Sequence, residues 1–246
     1  MTDAPVLAVS HDDGIARLEL LRPERRNPLG ASLRQALHDA FDEVEEAGSR
    51  VVLLTAAPGE QPTFAAGADL RDIGALDPLA AGPFAVAGQT LMRRVATLPA
   101  LVLAAVDGPC MGGALDLVLS TDLVACTERA CFAHPGIRLG LVTGWGGTRR
   151  LPERLGTGRA AGLLASGRRL GGEEAWACGF ASRLPPPPEL GEAVEAWARR
   201  WLDGVASLRP AELGRIKRFF ATAGAGGPIS ETPVNTLLRR SRRLHR

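Results

Sequence analysis

The sequence predicts an α/β protein built from parallel strand–helix–strand units, followed by a helical C-terminal region. Two runs, 50–55 and 101–106, are apolar on both faces, which is typical of strands buried in a parallel sheet. Stretches with helical periodicity lie between such runs, and this alternation favours parallel units. Four consecutive prolines at 185–188 then separate this body, 1–184, from amphipathic helices in the C-terminal region, 189–246.

The individual elements follow from local patterns. The apolar stretches 6–10 and 15–20 predict a hairpin, because a polar turn separates them. A helix is predicted to begin at 29–32, since apolar residues then recur at helical spacing from Leu33 to Val44. Further helices are predicted at 78–97, 112–119, 145–155, 157–166, 173–178, 190–205 and 210–223, and further strands at 123–126 and 130–133.

The composition is that of a soluble globular protein, with 246 residues, 46% of them hydrophobic and 23% charged. The longest apolar stretch, 98–106, is too short to span a bilayer, so no membrane association is expected. The N-terminus shows no signal-peptide pattern, and a cytoplasmic location is therefore expected. Four cysteines without CxxC spacing and four scattered histidines predict neither a metal site nor a disulfide framework.

The net charge of +2 says little about partners, but arginines cluster at 239–246. This run suits either contact with RNA phosphates or a solvated terminus, and a solvated terminus is the interpretation we adopt. Nucleic acid is accordingly not an expected partner.

Two small-residue segments, 64–70 and 107–114, are the most informative parts of the chain. Each follows a strand and opens a helix, so each leaves helix N–H groups without intrahelical partners. If the two turns face one another, two backbone donors surround one oxygen atom. This is the arrangement of an oxyanion hole, which stabilises an enolate or a tetrahedral oxyanion. Two ordinary strand-to-helix turns are the alternative.

Four segments of the sequence together resemble the crotonase (enoyl-CoA hydratase/isomerase) superfamily. They are 22–29, 64–70, 107–116 and 132–151, and they occur in the order and spacing of that family. The resemblance implies a crotonase-like core of repeated ββα units, as in the ClpP/crotonase fold. It also implies an acyl-CoA substrate and a homotrimer or hexamer. Coenzyme A is part of the substrate, so no separate cofactor is expected.

The resemblance also implies roles for individual residues. It places the oxyanion donors on the backbone N–H groups of Ala68 and Gly113, each typically worth ~2.7–4 kcal/mol of transition-state stabilisation. The residues implied around the adenosine end of coenzyme A are Arg25, Ala66, Asp69 and Leu70, and Arg25 or Arg26 is the candidate for pairing with a phosphate. Either arginine suits a phosphate contact or a solvated surface position.

The sequence departs from typical hydratases at two positions. Those enzymes carry glutamates where this chain has Gly136 and Asp116. Hydration of an enoyl thioester needs one group to activate water and one to protonate C2, and two carboxyl groups divide these roles. Glycine transfers no proton, so an enolate is expected to form while efficient hydration by the two-carboxylate route is not. In addition, the C-terminal region is shorter than in typical members.

Asp116 is the predicted proton-transfer residue, alongside the catalytic amides of Ala68 and Gly113. His134 is either a second titrating group or a hydrogen-bonded pocket histidine. Glycine at 136 also leaves space for a water or an external anion. The segment 143–148, with Gly144 and Trp145, is expected to open the next helix and line the acyl pocket, where Trp145 either limits acyl size or packs in the core.

These observations predict an enoyl-CoA hydratase/isomerase-like enzyme that stabilises a thioester enolate. Two alternatives follow from Gly136. One is a decarboxylase of malonyl-type thioesters, which needs only late protonation, and the other is a non-catalytic acyl-CoA-binding or assembly protein. An isomerase that shuttles one proton with a single carboxylate also fits.

Overall fold

The computed structural model describes residues 4–74 and 79–223. Its strands are β1 (Leu7–Asp12), β2 (Ile15–Leu20), β3 (Val51–Ala56), β4 (Leu101–Val106), β5 (Pro109–Met111), β6 (Leu123–Cys126), β7 (Cys131–Ala133), β8 (Leu170–Gly171) and β9 (Ser182–Arg183). Its helices are α1 (Ala31–Glu46), α2 (Leu70–Gly74), α3 (Ala81–Thr97), α4 (Gly113–Ser120), α5 (Gly147–Leu155), α6 (Thr157–Ser166), α7 (Gly172–Ala177), α8 (Leu190–Gly204) and α9 (Pro210–Ala223).

The strands form two sheets, which confirms the predicted α/β class. The larger sheet has the order β1-β2-β3-β4-β6-β9, and the smaller one has the order β5-β7-β8. The hairpin of β1 and β2 is antiparallel, whereas β2, β3, β4, β6 and β9 run parallel to one another. Parallel strands need crossover connections, and helices such as α1 and α3 supply them.

Both faces of the larger sheet are covered, which explains the continuous apolar runs of its central strands. Val52 and Leu54 of β3 belong to the main core, which also contains residues of α1, α3 and α4. Val51 and Leu53 point to the opposite face, where they pack with α8 in a second core. Successive residues of a strand alternate between faces, so a strand covered on both sides has consecutive apolar residues, as at 51–54.

The sequence does not predict the short strands β5, β8 and β9. Each has two or three residues, and their pairing partners rather than their own patterns define them. The helix predicted from 145 begins at Gly147, because Gly146 has a φ of 108°, which interrupts the helix. The helix predicted from 78 begins at Ala81, and the predicted start itself lies outside the described residues.

Helix α8 places the C-terminal region against the body of the protein. Its buried residues Val194, Ala198 and Leu202 pack against the second face of the larger sheet. The division at 184 into a core and a helical region stays a prediction, as does everything predicted for 224–246. No helix in the described part of the chain is long and apolar enough to cross a bilayer.

Candidate active site

The two small-residue turns lie side by side at one end of the smaller sheet. Ala65 and Cys110 form a parallel bridge, in which the amide of Met111 donates to the carbonyl of Ala65 at 3.0 Å. Asn27, which is buried, supports the first turn by donating from its side-chain amide to the carbonyl of Phe64 at 2.9 Å. These hydrogen bonds fix the two helix-opening segments against each other.

Gly67 allows the close approach of the two turns. It has a φ of 97°, and a Cβ at this position would overlap the carbonyl of Met111 and lie 3.0 Å from the amide nitrogen of Gly113. A side chain would therefore be strained and would also push the turns apart. A glycine is needed here for both reasons.

The amides of Ala68 and Gly113 are the free donors of this arrangement. Among residues 4–74 and 79–223, no carbonyl or side chain accepts a hydrogen bond from either N–H. The two residues are close, because a Cβ built on Gly113 would lie 3.2 Å from the nitrogen of Ala68. Gly113 is also the first residue of α4, where an unpaired N–H and the helix dipole both favour negative charge.

Both residues line a cavity of about 310 Å³. The other residues predicted for the site that line it are Ala66, Leu70, Asp116, His134, Gly136, Gly144 and Trp145. Most of the remaining wall is apolar, with side chains such as Phe84 and Leu164. The cavity has room for an acyl group beside the two amides, which is the geometry an oxyanion hole requires.

Asp116 and His134 are the titratable side chains among the described residues that line this cavity. They are 1% and 5% exposed, and Nε2 of His134 lies 3.2 Å from Oδ1 of Asp116. The N–H direction is not aligned with the oxygen, so neither of these two buried atoms makes a completed hydrogen bond. The hydroxyl of Thr143 donates to the other oxygen, Oδ2, of Asp116.

Backbone pairing brings these side chains together from distant points of the sequence. Asp116 lies in the first turn of α4, whereas His134 directly follows β7. The amide of Gly112 donates to the carbonyl of Ala133 at 2.8 Å, which joins the start of α4 to the end of β7. The contact between His134 and Asp116 is therefore a consequence of the β5–β7 pairing.

Gly147 completes the cluster of Asp116, His134 and Thr143. A Cβ at Gly147 would overlap Oδ1 of Asp116 and lie 2.8 Å from Nε2 of His134. The sequence places Thr143 and Gly147 in a segment expected to line the acyl pocket, and Thr143 does line the cavity, but it does not predict their contact with Asp116 and His134. Their contribution depends on how α5 packs against α4, and a single sequence carries no signal for it.

Gly136 lies in a short 3₁₀ segment, Pro135–Leu139, on the wall of the cavity. A Cβ there would lie 3.2 Å from the carbonyl oxygen of Leu141. The structure brings no carboxylate other than Asp116 to the lining formed by the described residues.

Trp145 is packed in the core and also lines the cavity, and its effect on acyl size stays a prediction. It lines the cavity but is only 3% exposed, and its ring fills the gap between α3 and α4. A Cβ on Gly88 of α3 or on Gly113 of α4 would overlap the indole. Gln89 donates to the carbonyl of Gly144 at 2.7 Å and so ties this loop to α3.

The residues predicted for the adenosine end of coenzyme A are only partly grouped. Arg25, Arg26 and Asp69 do not line the cavity, and both arginines are exposed. Asp69 accepts hydrogen bonds from the side chain and the backbone N–H of Arg71. These bonds lower the pKa of Asp69 to about 2, and the charge of Arg25 contributes to the shift. Arg25 therefore lies near Asp69.

A larger cavity, of about 620 Å³, lies between the larger sheet and α8. Its arginines are already paired: Arg17 with Glu195 at 2.6 Å, and Arg129 with Asp107. It does not adjoin the two free amides. The smaller cavity is consequently the candidate active site.

Comparison with known proteins identifies the family of this chain. The family model for enoyl-CoA hydratase/isomerase matches residues 10–212. The chain belongs to the enoyl-CoA hydratase/isomerase family. Enzymes of this family process acyl-CoA thioesters, and this chain is an acyl-CoA-processing enzyme of the crotonase type.

Members of the enoyl-CoA hydratase/isomerase family resemble this chain over most of its length. The human protein named enoyl-CoA hydratase domain-containing protein 2, mitochondrial, is 33% identical over 207 residues, covering 83% of this chain and 70% of that protein. Crotonyl-CoA hydratase of Syntrophomonas wolfei is 30% identical over 196 residues, covering 80% and 75%. The crystal structure of enoyl-CoA hydratase from Thermoplasma volcanium GSS1 matches with a TM-score of 0.83 at 26% identity, covering 98% of this chain and 93% of that one.

Proposed function

We propose that this enzyme binds the carbonyl oxygen of an acyl-CoA thioester between the amides of Ala68 and Gly113. The observation that carries the proposal is the pair of adjacent, unpaired backbone donors on the wall of an apolar cavity. Negative charge that develops on the oxygen is stabilised there by donors already held in place. The reaction is hydratase/isomerase-like and passes through a thioester enolate.

The coenzyme A moiety is part of the substrate, and no other cofactor takes part. Its adenosine end lies near Ala66, Asp69 and Leu70, with a phosphate contact from Arg25 or Arg26. Exposure of both arginines and the proximity of Arg25 to Asp69 support this placement. The acyl chain occupies the apolar cavity beside Trp145.

Gly136 favours a second candidate reaction. With Asp116 as the one carboxylate in the described lining, chemistry that needs a single proton-transfer site is easier than hydration with two carboxylates. Isomerisation of a 3-enoyl thioester and decarboxylation of a malonyl-type thioester both meet this condition.

The expected assembly is a homotrimer or a hexamer in the cytoplasm, acting on a small thioester without a nucleic-acid or membrane partner. Val142, an exposed apolar residue at the mouth of the cavity, supports burial against a neighbouring subunit.

A panel of crotonyl-CoA, 3-hexenoyl-CoA and methylmalonyl-CoA tests the proposal. We expect binding of all three thioesters by calorimetry and turnover of at least one. An Ala68→Pro variant, which lacks the N–H, is expected to lose about 10²–10³-fold in kcat. Tight binding without any turnover would instead identify a non-catalytic acyl-CoA-binding protein. Absence of binding would contradict the proposal altogether.

A further inference from the structure

We propose that His134 is the group that transfers the proton in this active site, and that Asp116 is a positioning residue that orients it. This inference rests on the proposed function, since it concerns a thioester bound at the amides of Ala68 and Gly113. It reverses the roles that the sequence suggests for the two side chains.

Asp116 is enclosed by protein groups. Its Oδ2 accepts the hydroxyl of Thr143, and its Oδ1 is buried against Nε2 of His134. The residue is 1% exposed. Each carboxylate oxygen therefore faces a protein group, Oδ2 the hydroxyl of Thr143 and Oδ1 the ring of His134, and this arrangement suits a residue that orients the histidine.

His134 has a second ring nitrogen, which suits it to act as the base. When Nε2 carries the hydrogen and faces Asp116, Nδ1 is the ring nitrogen with a free lone pair. His134 lines the same cavity as the two amides, so its ring borders the site proposed for the thioester. A buried carboxylate that fixes the tautomer and orientation of a histidine base is a recurring catalytic arrangement. The distance of 3.2 Å needs only alignment of the ring, which often occurs when a substrate binds.

Gly147 leaves the space in which the side chains of Asp116 and His134 approach each other. A side chain at this position would overlap Oδ1 of Asp116 and crowd Nε2 of His134. The start of α5 therefore has the one residue type that lets Asp116, His134 and Thr143 converge beside the cavity.

In the proposed step, Nδ1 of His134 takes a proton from C2 of the acyl thioester. The C2–H bonding pair becomes the C1=C2 π bond, and the carbonyl π pair moves onto the oxygen between the two amides. The imidazolium then returns its proton: the oxygen pair restores the carbonyl, and the C1=C2 pair forms the new C2–H bond. When the substrate is a 3-enoyl thioester, the C1=C2 pair instead forms the C2=C3 double bond, and the C3=C4 pair forms a new C4–H bond. Asp116 stabilises the imidazolium meanwhile. One group both removes and returns the proton, so the step needs no second carboxylate and no co-reactant.

The structure therefore assigns enolisation at C2, and isomerisation of 3-enoyl thioesters, as the reactions this site performs best. Hydration requires an additional group to activate water, and Gly136 does not supply one.

Deuterium uptake at C2 of butyryl-CoA in D2O, followed by NMR, tests the assignment together with isomerisation of 3-hexenoyl-CoA. We expect His134→Gln to lower both rates by about 10²–10⁴-fold with little change in KM. Asp116→Asn is expected to lower them less, about 10²-fold, because it misplaces the base without removing it. Added imidazole is expected to restore exchange in His134→Ala and to leave Asp116→Ala unchanged. His38→Gln, on α1 and outside the cavity lining, serves as the matched control.

The outcomes separate this inference from the proposed function. If the native enzyme exchanges C2 protons and His134→Gln keeps the native rate while Asp116→Asn loses it, Asp116 is the base and the inference is wrong. Failure of imidazole to restore His134→Ala, in a protein that melts normally, also contradicts it. If the native enzyme neither exchanges nor turns over any thioester, the proposed function itself fails, and the inference fails with it.

Discussion

At Gly147 the absence of a side chain is what allows three polar groups to meet. A Cβ at Gly147 would lie within 2.8 Å of an atom of each of Asp116, His134 and Thr143. This glycine is not required by its own backbone conformation, because it is the first helical residue of α5. Its requirement comes from the neighbours.

Gly147→Ala is therefore expected to lower turnover by about 10²-fold, because displacement of a catalytic group by ~1 Å has that effect. Overpacking is also expected to cost about 1–3 kcal/mol of the free energy of unfolding. Steady-state kinetics and urea denaturation measure the two effects. Gly158→Ala is the control, since a Cβ at Gly158 in α6 meets nothing within 4 Å. Equal turnover in the two variants would contradict the role of Gly147.

Gly136 is the position at which a single residue is expected to change the reaction. Gly136→Glu adds a second carboxylate to the cavity wall, at the position where the resemblance to hydratases implies one. Only a small shift of Leu141 is needed, since the Cβ lies 3.2 Å from its carbonyl oxygen. We expect hydration of crotonyl-CoA to rise at least tenfold, because a positioned acid or base contributes about 10²–10⁴-fold. Gly136→Gln has the same size without the charge, and a similar gain in that variant would argue against acid–base catalysis.

Among the elements, α3 and α4 are separated by one large side chain. Trp145 contacts both helices through Gly88 and Gly113, and its ring centroid lies 5.5 Å from that of Phe84. The helices leave room for an indole because these two facing positions are glycines. The depth of the cavity is accordingly expected to depend on how this gap is filled.

Trp145→Ala is expected to extend the cavity between α3 and α4. The ratio of kcat/KM for a ten-carbon over a four-carbon enoyl-CoA is expected to rise at least tenfold, since each methylene accommodated is worth about 1–3 kcal/mol. The space left by the indole is expected to lower the free energy of unfolding by about 3–5 kcal/mol. Trp197→Ala on α8, which packs with the second core, is the control for loss of a tryptophan. An unchanged ratio would show that Trp145 serves core packing alone.

Helix α9 is attached to the body by a buried ion pair. Nζ of Lys217, which is 6% exposed, lies 2.7 Å from Oδ2 of Asp122 and donates to the carbonyl of Ala100 at 2.8 Å. Burial lowers the pKa of Lys217, and the charge of Asp122 opposes that shift. The pair fixes the position of α9 against the start of β4.

Lys217→Met is expected to destabilise the protein by about 3–5 kcal/mol, because it leaves the carboxylate of Asp122 without its buried partner. Guanidinium denaturation measures the loss. The double variant with Asp122→Asn is expected to recover part of it, since no unpaired charge then remains. A loss that is the same in both variants would mean that packing of the lysine stem, rather than the ion pair, holds α9.

At the scale of the whole molecule, the larger sheet separates two hydrophobic cores, one on each of its faces. The core that contains α1, α3 and α4 borders the candidate active site, and the second core attaches α8. The mouth of the active-site cavity carries exposed apolar residues, among them Leu70 and Val142. Such a surface is expected to be buried in an assembly.

Sedimentation equilibrium is expected to give three or six times the chain mass of 25.9 kDa. The physical reason is burial of the apolar rim of the cavity, and Val142→Asp is expected to shift the equilibrium toward smaller species. Val86→Asp is the control, because Val86 lies on α3 and is exposed. A native chain that sediments as a monomer would contradict the predicted trimer.

The sequence by itself determined the α/β class, the buried strands β3 and β4, and the two turns whose amides are unpaired. These features are local: apolar runs covered on both faces, helical periodicity and small residues between a strand and a helix all leave patterns within a few neighbouring positions. The tertiary structure alone decided that His134 meets Asp116, that Gly147 leaves room for them, and that Trp145 fills the gap between α3 and α4. Those relations join residues that are far apart in the chain, and they depend on the pairing of β5 with β7 and on the packing of α5, which no local pattern encodes.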